Sequence, residues 1–281
     1  MVVSKKRMSS RMVSRQQQLR WLQEGRGQGQ LDTYKPFLNV RDNKSLTERS
    51  SRVYGYKTQR THHLFSDLEL ALFLALDRIQ DIEDIREQIP LDLETTVQIA
   101  EDLKIPHPIE KNVHQILTST FFIVNHSPLK PPCFVVKALK SIHLDQKRTI
   151  AQLELERRYW EQKNIPWFLF TEKDISSTAI DNIKWLYPLN KVNNDIYTFS
   201  KMDFYQNYFL QKPELTLIEL SKYLDTHYSM EAGASLLEIR ELLAQRYFLF
   251  DITKGYRKIC GRDIEIGNIQ HLEKLRNVSG E

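Results

Sequence analysis

Cysteines, glycines and long apolar segments are scarce in this chain of 281 residues. Its two cysteines, Cys133 and Cys260, lie far apart and lack the spacing of a metal site, which indicates a reducing compartment. The longest apolar run, residues 70–76, is too short to cross a bilayer, and no apolar stretch follows the basic start as in a secretory signal. We therefore expect a soluble, cytoplasmic protein that has no membrane contact.

The chain has enough apolar material for a core, and its basic residues are unevenly distributed. Hydrophobic residues make up 41% of the chain, which excludes a disordered protein, and the formal net charge is +4. The first 26 residues hold one acid, Glu24, against these basic residues: Lys5, Lys6, Arg7, Arg11, Arg15, Arg20 and Arg26. A second basic run includes Lys57 and Arg60. Such clusters favour a DNA partner.

The first 175 residues predict an α/β domain behind a basic arm, residues 1–23. Glycines 25, 27 and 29 predict a flexible break, with a phosphate contact as the less favoured reading. Periodicity and turn residues then predict helices over 66–76, 95–103 and 149–163, and strands over 85–91, 118–124, 133–136 and 165–170. This order is typical of a mixed sheet with flanking helices.

Beyond residue 174 the pattern becomes mainly helical. Helices are expected over 178–187, 202–210, 215–226 and 234–245, followed by a β-rich run over 247–252. Three helices and a hairpin are the order of a winged helix. We place a domain boundary near residues 172–176, which divides the chain into an α/β domain (24–175) and a winged-helix-like domain (176–281).

Two charged residues at the ends of predicted helices or strands, Glu69 and Lys137, have purely structural explanations when each is considered alone. Ser66 and Glu69 have the spacing of a capping box, in which the serine side chain accepts from the Glu69 N–H and the glutamate accepts from the Ser66 N–H. Lys137, at the end of an apolar strand, reads as a surface lysine. The neighbouring His62 and His63 read as polar loop residues.

Several longer sequence motifs change this interpretation. They are EGRGQG at 24–29, HHLFSDLELA at 62–71, DIREQ at 84–88, LELERRYW at 153–160, IPWF at 165–168 and WLY at 185–187. Because these motifs occur in this order and spacing, the chain resembles the TnsA family, the endonuclease subunits of heteromeric cut-and-paste transposases. The final third of the chain resembles the family less, and its similarity lies mainly at residues 236–240.

The resemblance implies a restriction-endonuclease-like domain followed by a winged-helix-like domain. It implies a bacterial enzyme that cuts the 5′ strands at transposon ends with Mg²⁺, beside a TnsB-like integrase-type transposase and a TnsC-like AAA+ regulator that contacts the C-terminal region. Magnesium requires hard oxygen ligands, and a nearby lysine stabilises the charged transition state.

Only part of the family's site is present. Carried over by the resemblance, Glu69 stands at the helical metal ligand and Lys137 at the catalytic lysine. The bridging aspartate falls on Thr120, and the polar residue two positions before the lysine falls on Val135. No aspartate occurs between Asp102 and Asp145 that a change of register would supply. We therefore expect poor Mg²⁺ binding and a cleavage-deficient, DNA-binding subunit.

Two alternatives stay open. The first is an active endonuclease that recruits His114, Ser119, Glu154 or Glu156 as substitute ligands. The second disregards the resemblance and takes the chain as a winged-helix DNA-binding regulator fused to an α/β domain.

Overall fold

The computed structural model describes residues 14–42, 49–55, 57–79, 81–110, 112–126, 129–189 and 197–267. The four basic residues Lys5, Lys6, Arg7 and Arg11 lie outside the described residues. The chain forms two compact units, Met1–Asp174 and Ile175–Glu281.

The N-terminal unit is built on a four-stranded mixed sheet. Its strands, in spatial order, are β3 (Ile82–Pro90), β6 (Thr118–Asn125), β7 (Cys133–Ala138) and β8 (Trp167–Phe170). The first three are antiparallel neighbours, whereas β7 and β8 are parallel. The parallel pair requires a crossover, which the helix α4 (Lys147–Gln162) supplies.

Helices cover both faces of this sheet. Helix α2 (Asp67–Asp77) places Phe73 6.3 Å from Phe121 of β6. On the other face, α3 (Leu93–Leu103) and α4 enclose a core that includes Leu155 and Trp160. Several neighbouring residues of α2, among them Leu72, Phe73 and Leu74, are buried. A helix that is apolar all round is buried on most of its faces.

The first helix, α1 (Arg15–Gln23), packs on the N-terminal unit and is not part of a separate arm. Trp21 is buried, with its ring 5.5 Å from that of Phe37. The Gln18 amide donates to the His114 carbonyl and accepts from the Ile116 N–H. Residues 15–23 of the predicted basic arm, residues 1–23, thus form a helix that packs on this unit.

The glycine-rich segment after α1 is a tight turn and not a free hinge. Gly27 has φ +81°, and a Cβ there would lie 2.3 Å from the Pro90 side chain. Gly29 has φ +92°, and a Cβ there would meet the Thr33 carbonyl at 2.6 Å. Both positions require glycine for their conformation and for close packing.

Two hairpins complete this unit, and the sequence patterns do not predict either of them. Strands β1 (Ser51–Gly55) and β2 (Arg60–Leu64) are antiparallel, as are β4 (Ile109–Glu110) and β5 (Val113–His114). His62 and His63 therefore lie on a strand, where His62 is fully buried.

The C-terminal unit is mainly helical. It contains α5 (Ser177–Leu186), α6 (Thr198–Gln211), α7 (Leu217–His227) and α8 (Ala234–Ala244), then the antiparallel strands β9 (Phe248–Leu249) and β10 (Glu265–Ile266). This is the predicted order of helices and hairpin. The predicted strand over 247–252 is shorter than expected, because the Asp251 carboxylate accepts from the Thr253 N–H and closes a turn.

Candidate functional site

Glu69 is held at the first turn of α2 by capping contacts. Its backbone N–H donates to Ser66 Oγ at 3.0 Å, as the capping box predicts. The return bond differs from the prediction, because the Glu69 carboxylate accepts from the Phe65 N–H at 2.7 Å and not from that of Ser66. Glu69 is buried and anchors the loop that enters the helix.

Gln88 and Thr118 connect Glu69 to Lys137, and sequence reasoning did not single them out. Gln88 Nε2 lies 3.5 Å from Glu69 Oε2, and its Oε1 accepts from the Thr118 hydroxyl at 2.9 Å. The Thr118 carbonyl accepts from Lys137 Nζ at 2.8 Å. The structure thus joins Glu69 and Lys137 in one polar network. Gln88 directly follows Arg86 and Glu87 in a strand that is rich in charged residues, so the sequence pattern gave no signal that distinguished it.

Lys137 forms a second contact on the opposite side of this network. Its ammonium lies 3.2 Å from Glu156 Oε2 on α4, and the Glu156 side chain is only 4% exposed. The other Glu156 oxygen accepts from the indole N–H of Trp167 at 3.1 Å. Both oxygens of this carboxylate therefore have partners inside the protein.

Thr120 uses its hydroxyl to bind the backbone of the neighbouring strand. Thr120 Oγ1 accepts from the Ala138 N–H at 3.1 Å, and the residue is 2% exposed. The pairing of β6 with β7 ends just before this point, at Phe121 and Val136. The side chain therefore substitutes for a ladder acceptor.

Val135 belongs to the apolar core between the sheet and helices α3 and α4. It is 0% exposed and shares a cluster with Leu155 and Trp160. A hydrocarbon side chain at this place provides no oxygen for a cation.

The four candidate substitute ligands all have partners within the protein. Ser119 Oγ accepts from the Trp160 indole at 2.7 Å. Glu154 binds Arg157 and Arg158, and the hydrogen bond from Arg157 lowers the pKa of its carboxyl to about 2. His114 Nδ1 lies 3.1 Å from His107 Nδ1. Glu156 binds Lys137 and Trp167, as described above.

Few oxygen ligands for the implied magnesium ion stand at the positions that the resemblance assigns to the site. In the described ranges, no group of three or more histidine, cysteine, aspartate or glutamate side chains has a geometry that would hold a metal. Mg²⁺ requires several hard oxygen ligands and loses its water reluctantly. Thr120 supplies a neutral hydroxyl that is already hydrogen-bonded, and Val135 supplies none.

Two of the residues expected to bind DNA are instead internal ion-pair partners. Arg26 donates to Asp42 at 2.7 Å and to the Phe37 carbonyl at 3.2 Å, and its guanidinium lies over the Trp21 ring. Its side chain is 17% exposed. These partners satisfy the charge and the donors of Arg26, so the structure does not favour the phosphate contact predicted for it.

Arg60 is even more enclosed, with a side chain only 7% exposed, so the phosphate contact predicted for it is not favoured either. Its guanidinium donates to both Glu87 oxygens, at 2.8 and 2.6 Å, and His62 Nδ1 lies 2.8 Å from Glu87. Burial alone would raise the pKa of Glu87, but His62 and Arg60 outweigh it and hold the pKa below the ordinary value. The Tyr34 hydroxyl donates to the Glu87 carbonyl, which secures the segment after the glycine turn.

Three other predicted DNA-binding residues lie within the described part of the chain. Arg15 and Arg20 are exposed on α1, where Arg20 forms a surface pair with Glu24 at 2.9 Å. Lys57 is half-buried in the turn between β1 and β2. A surface ion pair of this kind is weak, so Arg20 stays accessible to phosphate.

Comparisons with known proteins agree with the division into two units. Residues 80–172 match the model of the TnsA-like endonuclease N terminal, and residues 174–252 match that of the TnsA endonuclease C terminal. The chain is also similar to the transposon Tn7 transposition protein TnsA of Escherichia coli. The two are 38% identical over 261 residues, which cover 92% of this chain and 94% of the relative. Within the described residues, no helix is both long and apolar enough to span a membrane.

Proposed function

This chain belongs to the TnsA family of transposition endonucleases, and from that premise we propose that it is a DNA-binding and assembly subunit of a heteromeric transposase that does not itself cut DNA. The observation that carries this proposal is the Thr120 hydroxyl bonded to the Ala138 N–H. The resemblance places the bridging metal ligand at this position. A neutral group there removes the negative charge that a divalent cation requires.

The contacts of Lys137 support the same conclusion. In the proposed ancestral site this lysine would stabilise charge on the phosphate. Here its ammonium is shared between the Thr118 carbonyl and the Glu156 carboxylate. An ammonium that has two acceptors inside the fold is a structural cation, and moving it to a phosphate would leave Glu156 without its counter-charge.

The partners of the proposed subunit follow from the family. They are double-stranded transposon-end DNA, an integrase-type transposase that cuts and joins the other strand, and an AAA+ regulator that contacts the C-terminal unit. Without 5′-strand cutting, transposition by such an assembly produces cointegrates in place of simple insertions.

The decisive test is a strand-specific cleavage assay. The full chain, its partner transposase and labelled transposon-end DNA are incubated with Mg²⁺ or Mn²⁺, and nicks in the 5′ strand are counted. We expect none from the unaltered chain. Metal-dependent nicking that Glu69→Ala abolishes would overturn the proposal and mean that another residue supplies the missing ligand.

Restoring the carboxylate tests the assignment of Thr120. Thr120→Asp should create metal-dependent nicking in the assembled transposase, and the additional change Lys137→Met should abolish it. The matched control is Thr120→Asn, which has the size of aspartate without its charge and should remain inactive. Nicking by both substituted chains would show that the charge at position 120 is irrelevant.

The basic N-terminus is proposed to bind DNA without sequence preference. Deleting residues 2–13 removes Lys5, Lys6, Arg7 and Arg11 but leaves Gln18 and Trp21, which the fold requires. DNA affinity should then depend less steeply on salt, because fewer counterions are released. An unchanged salt dependence would exclude DNA binding by this segment.

A further inference from the structure

The loop between β9 and β10 has a fixed shape that hydrogen bonds to α5 impose. Asn182 is fully buried on α5. Its amide nitrogen donates to the carbonyls of Ile252 and Lys254, at 2.7 and 2.8 Å, and its amide oxygen accepts from the Tyr256 N–H at 2.8 Å. Three hydrogen bonds from one buried side chain leave the loop little freedom, so its outward side chains have defined positions.

A stack of aromatic and guanidinium groups reinforces the loop. The rings of Trp185 and Tyr256 are stacked at 4.6 Å with an interplanar angle of 13°. The Arg240 guanidinium lies 4.9 Å from the Trp185 ring, and that of Arg257 lies 5.5 Å from the Tyr256 ring. Each guanidinium is attracted to the ring that it covers, and the two rings stack on each other, so the four side chains join α5, α8 and the loop.

Three exposed cations line the groove between this loop and α5. They are Lys184 on α5 and Arg257 and Lys258 on the loop, and none of them forms an ion pair with a carboxylate of the described residues. Lys254 in the same groove is neutralised by Asp263. Among the residues that the structure describes, Asp181 is the one acid that lines the groove. We call Lys184, Arg257 and Lys258 the cationic face.

Helix α8, in contrast, is poorly suited to DNA. In helix-turn-helix proteins the second helix of the pair enters the major groove and reads bases with exposed polar side chains. Here α8 exposes Leu237, and Arg240 donates to the Trp185 carbonyl at 2.6 Å. Its acidic Glu238 is bound to the Tyr205 hydroxyl and to Lys201. A phosphate backbone would meet apolar and acidic groups on this helix.

We propose that the cationic face binds the phosphate backbone of duplex DNA, without reading its sequence. Lysine and arginine side chains provide most of the backbone contacts in protein–DNA complexes, and these contacts set position without specificity. Three cations that pair with no carboxylate of the described residues would attract a polyanion to this groove. This inference rests on the proposed DNA-binding function and assigns part of it to the C-terminal unit.

The test compares charge-matched variants of the full chain. The first is Lys184→Gln, Arg257→Gln, Lys258→Gln. Its control, Lys173→Gln, Lys222→Gln, Arg262→Gln, changes the net charge equally at exposed positions outside the groove. A third chain, Lys184→Arg, Arg257→Lys, Lys258→Arg, keeps the charge. Binding to a fluorescent duplex of random sequence is measured over a range of NaCl concentrations.

We expect the first variant alone to weaken binding, by at least about tenfold at low salt, and to reduce the slope of log Kd against log salt by roughly three, one for each lost phosphate contact. The charge-keeping variant should bind like the parent. A first variant that matches the control overturns the inference. If the first variant loses association with the partner transposase while its DNA binding is unchanged, the face contacts an acidic protein surface and the inference is wrong. If the parent chain binds no duplex at all, the proposed DNA-binding function fails together with it.

Discussion

The ammonium of Lys137 lies 3.2 Å from the carboxylate of Glu156, across the interface between strand β7 and helix α4. Both ends of this pair have second partners, the Thr118 carbonyl for the lysine and the Trp167 indole for the glutamate. The pair therefore ties the edge of the candidate site to the helical layer.

The two ends of this pair should contribute unequally to stability. Lys137→Met leaves a buried carboxylate without its cation and should lower the free energy of unfolding by about 3 kcal/mol or more. Glu156→Gln keeps an acceptor for Trp167 and leaves a lysine that water can reach, so about 1 kcal/mol is expected. Urea unfolding of both variants and of the double variant measures the coupling. Additive losses would show that the two groups do not interact.

Glu69 should be a structural residue in the unaltered chain. Glu69→Ala removes the acceptor of the Phe65 N–H and should cost about 1 kcal/mol of stability. Glu69→Gln retains an acceptor oxygen and should cost less. Thermal unfolding of the two variants measures the difference, and an equal loss in both would assign the effect to charge and not to capping.

Restoring a polar residue at position 135 should be costly. Val135→Gln places an amide among Leu155, Trp160 and other apolar side chains, and we expect a loss of about 1–3 kcal/mol. Val135→Ile, which stays apolar, serves as the control for a change of size. An unaltered unfolding free energy in Val135→Gln would mean that the core can hydrate or rearrange at this point.

Arg60 should affect folding and not DNA binding. Arg60→Met leaves the fully buried Glu87 with His62 as its remaining side-chain partner, and we expect a loss of about 3–5 kcal/mol. At a temperature where the variant is folded, its binding to duplex DNA should have the same salt dependence as that of the parent. A shallower salt dependence of DNA binding in Arg60→Met than in the parent would show that Arg60 contacts phosphate.

Two histidines, the partly buried His63 and the buried His107, should make the protein less stable in mild acid. Burial lowers the pKa values of His63 and His107 in the folded state. As the pH falls below about 6.5, the unfolded chain takes up these protons first, and stability decreases until the lower folded pKa is reached.

Substitution of one of these histidines checks the source of the effect. His63→Asn keeps an acceptor for the Val40 N–H and should flatten the dependence of melting temperature on pH between about 7 and 5. The exposed His126→Asn should leave that dependence unchanged. If His63→Asn behaves like His126→Asn, then His63 does not contribute.

Much of this protein was determined by local sequence. Periodic apolar residues and capping residues predicted α2, α3, α4 and the C-terminal helices to within a few residues, because a helix depends on contacts between near neighbours. The strands β6, β7 and β8 were predicted from short apolar runs that are bounded by turn residues. The resemblance assigned the site positions to Glu69, Thr120, Val135 and Lys137, which stay predictions, and the family itself is confirmed.

Tertiary structure alone decided what those side chains do. Ala138 is far from Thr120 in sequence, yet its N–H donates a hydrogen bond to the Thr120 hydroxyl. Glu156 contacts Lys137 only because α4 crosses over the sheet. Similarly, Arg60 read as a basic surface residue until the pairing of β1 with β2 placed it beside Glu87. Sequence spacing reports which residue types are present. Burial and the nearest opposite charge, which long-range packing sets, decide whether a cation faces DNA or the interior.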